Sequence, residues 1–178
     1  ILASIGLCII YAAYLIRQYD LSLLLMFLGA LFWMVGNILL LTRNFYPLSF
    51  PWWMAFLLFT IVAERLELSK FLPVTKANKN VLLTFLGIFL LGVLLPFHGY
   101  GAYFSGTGLI MISAWLMRFD VVRITIKKKG LTRFTGIALL SGYIALFLDG
   151  VFLITFPITP YAYDAILHTF FIGFIFSM

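Results

Sequence analysis

The stretch Arg118-Phe-Asp-Val-Val-Arg123-Ile-Thr-Ile-Lys127-Lys128-Lys129-Gly-Leu-Thr-Arg133 decides how this chain is read. It gathers six of the twelve Lys and Arg residues against a single acid, Asp120. The sequence on both sides is apolar over lengths that reach across a bilayer. A basic hinge between two such runs is retained on the cytoplasmic side during insertion. The orientation of this one hinge therefore sets the direction of every other segment.

Working outward, the chain is 64% hydrophobic and 10% charged, whereas about a quarter of a soluble domain is charged. A soluble fold has no place to bury so much apolar surface. The apolar runs are long and continuous rather than alternating strands of about ten residues, so the expected class is an all-α polytopic transmembrane bundle. The formal charge of +6 suits insertion and anionic lipid headgroups at the basic loop rather than nucleic acid, because the bases fall between the spans. Cys8 is the only cysteine, which excludes an intrachain disulfide and a cysteine cage for a metal.

Seven apolar segments are expected: 1–16, 21–41, 52–71, 81–97, a fifth ending near Val122, 134–156, and a last one beginning at Pro160. Asn44 to Pro51 is expected as a loop because of Pro47 and Pro51, with Trp52 and Trp53 opening the third span. Thr159 is the expected N-cap of the seventh, with Pro160 at its first position. Placing the basic hinge inside puts eleven of the twelve bases on the cytoplasmic side and leaves Arg43 alone outside. Loops 66–80 and 123–133 are then cytoplasmic, in what is expected to be a bacterial inner membrane. No internal repeat or linker is visible, so 1–178 reads as one membrane domain. Both apolar ends read as cuts in a longer protein.

Two layers of polar residues interrupt the spans. The outer one comprises Asn37, Asp149, Asp164 and His168, with His98 at its rim. Asp149 lies eight residues before Pro157 and His168 eight after Pro160, which places each roughly 12 Å below the outer surface. Asp164 and His168 are four apart and share a helix face. Ionisable residues at such depth are functional candidates. Here they suggest His168 as a metal or haem ligand, with a carboxylate orienting its other ring nitrogen, or else a proton relay. The plainer alternative is a set of hydrogen bonds that hold the helices together. The short turn between spans six and seven makes them antiparallel neighbours, so Asp149 and His168 are expected to face inward at one depth, joined by a direct or water-bridged hydrogen bond.

The inner layer is Glu64-Arg65-Leu66-Glu67, with Asp120 near the end of span five. Glu64 and Arg65 are adjacent and point about 100° apart, so each needs a partner elsewhere. An ion-pair latch of Glu64, Arg65, Glu67 and Asp120 is the expected arrangement, and an ion path the alternative. The glycines at 101–108 and at 136–142 are expected to allow close helix approach. No P-loop, HExxH, nucleophile elbow or CxxC is present.

The pattern His168-x4-Gly173-Phe174-x3-Met178, with Asp164 one turn earlier, resembles a recurring segment of the NnrS-type haem–copper membrane proteins, bacterial polytopic proteins linked to nitric oxide stress. That resemblance covers about ten residues. It implies haem or copper binding, with His168 and His98 as ligands and Asp149, Asp164 and Asn37 around them. The Glu64–Ser69 stretch resembles an uncharacterised bacterial membrane family with no activity to transfer. The functions expected are therefore a haem- or metal-binding membrane protein, an ion-coupled carrier using Glu64, Arg65 and Asp149, or a structural subunit of an assembly.

Overall fold

The computed structural model describes residues 1–178 apart from Pro73, Pro157 and Ile158, and apart from the side chains of Phe71, His98 and Pro160. The turn expected at Pro157 thus lies outside the described residues. All regular structure among the described residues is helical. The contacts fall into two compact units, Ile1–Glu67 and Leu68–Met178.

The first unit contains α1 (Leu2–Arg17), α2 (Leu21–Arg43) and α3, which runs from Tyr46 to Leu68. Asn44 closes α2 in the left-handed conformation at φ 49°, and its N–H donates to the Leu40 carbonyl at 2.8 Å. Asparagine is the side chain other than glycine that most often takes this cap. The connection to α3 is consequently two residues long, and the loop expected over 44–51 is a correction. Pro47 falls in the first turn, where its missing N–H has no partner to lose. Pro51 lies inside the helix and is buried, so the ladder tolerates one lost bond there.

Ser22, Gly29 and Gly36 recur every seventh residue of α2 and are all buried. A Cβ added at Gly29 would lie 3.1 Å from the Phe56 carbonyl, and one at Gly36 would lie 2.6 Å from Trp53 Nε1. Small residues at this period let α2 and α3 approach closely. Beside the seam, Phe32 meets Phe59 edge-on at 5.0 Å, and Trp33 stacks on Phe56 at 5.1 Å.

The second unit contains α4 (Lys76–Leu94), α5 (Ala102–Phe119), a single turn α6 (Val122–Thr125), α7 (Leu131–Thr155) and α8 (Pro160–His168). The last helix continues as a π-helical stretch, Thr169–Phe174, and a short 3-10 turn, Ile175–Ser177. Thr75 caps α4 by accepting from the Asn78 N–H at 3.3 Å, and Thr159 caps α8 by accepting from the Ala162 N–H at 3.3 Å. Between α4 and α5 the chain turns through Phe97–Gly101, where Gly99 leaves helical geometry. Gly130, at φ 66°, follows Lys127–Lys129 and immediately precedes α7, a conformation that favours glycine.

Within this unit α7 is central. It packs on α5 along one side and on the Thr169–Ser177 segment along another, and α5 packs in turn on α4. Gly106 of α5 and Gly150 of α7 meet reciprocally, each added Cβ falling 2.6 Å from the other's carbonyl oxygen. Gly108 meets the Phe89 backbone of α4 at 2.7 Å, and Gly136 meets the Thr125 side chain at 2.7 Å. The glycines at 101–108 and 136–142 therefore serve helix approach, as their spacing suggested. Trp115 adds a polar tie, its Nε1–H donating to the Asn78 carbonyl at 2.9 Å.

Four helices, α2, α3, α4 and α7, are long and apolar enough to cross a membrane, and α1 and Tyr161–Ser177 are shorter apolar helices. Arg118 and the Ser, Thr and Gly residues of α5 lower its apolarity.

Candidate functional site

Asp149 has no exposed surface, and neither carboxylate oxygen has a hydrogen-bond partner among the described residues. Its position on α7 follows from the small residues before it. Gly142 lies against Ser177, and Gly173 lies against Ala145. Residues 142, 145 and 149 are three and four apart, so Asp149 continues the stripe of α7 that faces the last segment. One position further, Gly150 faces α5. The carboxyl thus sits where the α5–α7 crossing meets the stripe directed at the π-helical stretch. π-helical insertions are frequent at functional sites because they displace side chains from the regular register.

His168 is placed differently from expectation. Its Nδ1–H donates to the Asp164 carbonyl at 2.8 Å and lies 3.3 Å from Asp164 Oδ1, with the two side chains 59% and 69% exposed. Ile166 and Phe170 are fully buried and mark the inward face of this segment. His168 is two residues from each, about 200° round the helix, and so points away from α7. His168 thus does not face inward as expected, and no direct bond joins it to Asp149. Counting residues from the turn sets the height of a side chain but leaves its rotation about the helix free. The His98 side chain lies outside the described residues.

Asn37 bridges two helices of the first unit. Its Nδ2 donates to Ser4 Oγ at 3.3 Å, and Ser4 Oγ donates to the Ile1 carbonyl at 2.8 Å. This is an interhelical hydrogen bond of the kind that holds α1 to α2. In the inner layer Glu64 and Glu67 are exposed and Arg65 is half-buried. Arg65 Nε is buried with no hydrogen-bond partner among the described residues.

Asp120 is 3% exposed, and its Oδ2 accepts from the Tyr143 hydroxyl at 2.6 Å. Its Oδ1 has no partner among the described residues. Tyr143 was not apparent from the sequence as a polar partner, because tyrosines in apolar chains usually serve the membrane boundary. Its place in the middle of an apolar run was the available signal, since a buried phenol needs an acceptor. Among the described residues no group of three or more His, Cys, Asp or Glu side chains is gathered as a metal site would need.

These features define an all-helical protein with membrane-length apolar helices and two buried carboxyls on the α5–α7 framework. The chain belongs to the family described as Domain of unknown function (DUF8744), whose family model matches residues 1–178. No curated protein and no solved structure matches it.

Proposed function

We propose that this chain is an integral membrane protein that crosses the bilayer seven times and works as an ion-coupled carrier, with Asp149 holding the coupling proton. The observation that carries this reading is the burial of Asp149 with both oxygens unpartnered among the described residues. An uncompensated carboxylate in an apolar interior costs several kcal/mol, so such a group calls for a proton, a cation or a water path. Intramembrane carboxyls are the usual elements of proton relays in pumps and transporters. The π-helical stretch Thr169–Phe174 beside α7 is a helix irregularity of the kind frequent at functional sites. Large exposed apolar side chains, among them Leu2, Ile9 and Ile16 at 88%, 63% and 87% exposure, support a lipid-facing surface.

In this reading the membrane is a bacterial inner membrane, and loops 66–80 and 123–133 face the cytoplasm. A cysteine at Lys128, introduced into a chain with Cys8 replaced, should react with an impermeant maleimide only from the cytoplasmic side. A cysteine at Gly99 should react only from outside. Labelling of position 128 from outside would overturn the topology. The carboxyl itself can be probed with dicyclohexylcarbodiimide, an apolar reagent that adds to protonated carboxyls shielded from water. The adduct should appear on the peptide carrying Asp149 and disappear in Asp149→Asn. A peptide left unmodified would count against a protonated carboxyl at this position.

The haem or copper reading rests on His168, whose Nδ1 is held by Asp164 and whose Nε2 is left for a ligand. One imidazole and one orienting carboxylate do not make up the donor set of a haem–copper centre.

A further inference from the structure

Beyond the carrier reading, a second site lies at the end of α5. Leu72, Val74, Arg118, Phe119, Asp120, Arg123, Ile124 and Lys127 enclose a cavity of about 390 Å³. Its wall is built in two layers. Outermost are three bases, Arg118, Arg123 and Lys127, all exposed. Two of them are positioned by the fold: the Arg118 guanidinium lies 5.8 Å from the Phe119 ring centre, and Arg123 Nη1 donates to the Arg118 carbonyl at 3.3 Å. That carbonyl is one of those a helix end leaves without an intrahelical partner, so Arg123 is anchored while its other guanidinium N–H groups remain for a ligand. At the base is Asp120, 3% exposed. The Tyr143 hydroxyl bonds its Oδ2 at 2.6 Å, which fixes the carboxylate and leaves Oδ1 as a buried acceptor without a donor among the described residues.

We infer that this cavity binds a phosphate ester that also carries a hydroxyl group, the chemistry of a glycerol phosphate headgroup. The three cations match the phosphate, for which forked guanidinium donors are well suited. The hydroxyl would supply the donor that Oδ1 lacks once the cavity floor, closed over Oδ1 in this structure, gives way to it, and a buried acceptor without a donor is costly. A bare phosphate would bring no such group and would set its extra charge against the Asp120 carboxylate. An ammonium-bearing headgroup would place its cation among three others. The apolar lining residues Leu72, Val74, Phe119 and Ile124 suit the start of an acyl chain, which makes a lipid the natural source. Soluble glycerol phosphate shares the same chemistry.

The test uses the purified full chain in a neutral detergent, with phosphatidylglycerol, phosphatidic acid and phosphatidylcholine of matched acyl chains. Retained lipid is read by native mass spectrometry. Wild type should retain phosphatidylglycerol over both others. Because each base near a headgroup contributes about fivefold to binding, the Arg118→Gln, Arg123→Gln double variant should lose on the order of twentyfold. Both side chains are exposed, so folding should survive, and the thermal midpoint checks it. Asp120→Asn should abolish the preference for phosphatidylglycerol over phosphatidic acid while keeping the preference for anionic lipid. If Asp120→Asn does not fold, phosphatidylpropanol, which has the same phosphodiester without the headgroup hydroxyls, carries the same test on wild type and should be retained less than phosphatidylglycerol; equal retention of the two would overturn the hydroxyl contact. Competition by millimolar sn-glycerol 3-phosphate would assign a soluble source, and its failure a lipid one. Equal retention of all three lipids by wild type, or an unchanged profile in the double arginine variant, would overturn the proposal. Neither outcome depends on proton flux, so the site stands or falls separately from Asp149.

Discussion

Asp149→Ala is expected to raise the thermal midpoint of the purified protein while removing its transport activity. Alanine removes the carboxyl group and adds no volume, so nothing is forced apart, and the void left is that of one small group. Both oxygens are buried without a partner among the described residues, and a buried polar group left unpaired costs about 1–3 kcal/mol. Against this a void costs only about 24 cal/mol per Å³, so removing the group returns most of its cost as stability. A residue kept for structure would behave in the opposite way, because its removal would break a bond that holds the helices together. Activity sites commonly carry such a stability penalty. A lowered midpoint in Asp149→Ala, with normal membrane insertion, would show Asp149 to be structural.

The second large effect concerns one substitution made at two glycines. Gly106→Ala would place a Cβ 2.6 Å from the Gly150 carbonyl of α7, a contact with backbone that cannot rotate away. The α5–α7 crossing would have to open, at a cost of about 1–3 kcal/mol. Gly87, in α4, has nothing within 4 Å of its added Cβ. Gly87→Ala should therefore stabilise the helix by about 0.5–1 kcal/mol, through the lower backbone entropy of alanine in the unfolded chain. Thermal midpoints in one detergent would show the opposite signs. A neutral Gly106→Ala would mean that α5 and α7 do not cross as closely as the structure places them.

Helix content and the punctuation of the chain were legible in the sequence, because apolar length, basic loops and capping residues act locally. Thr159, expected as the N-cap ahead of Pro160, does cap α8. The loop expected at Pro47 and Pro51 failed for a local reason as well, since proline is compatible with the opening turns of a helix. The candidate site was legible in part. Asp149 was singled out by its depth, and depth follows from residue count. Its separation from His168 was not legible, because rotation about the helix depends on packing partners such as Ile166 and Phe170 on the opposite side. The bond from Tyr143 to Asp120 joins residues 23 apart, and only the packing of α7 on α5 brings them together.

The claim that Asp149 carries a proton is tested most directly by infrared difference spectroscopy of the purified protein at neutral pH, wild type against Asp149→Asn. The account predicts in wild type the carbonyl stretch of a protonated carboxylic acid, shifted by exchange into heavy water and missing from Asp149→Asn. A wild type without that band, carrying an ionised carboxylate band that Asp149→Asn loses, would contradict it.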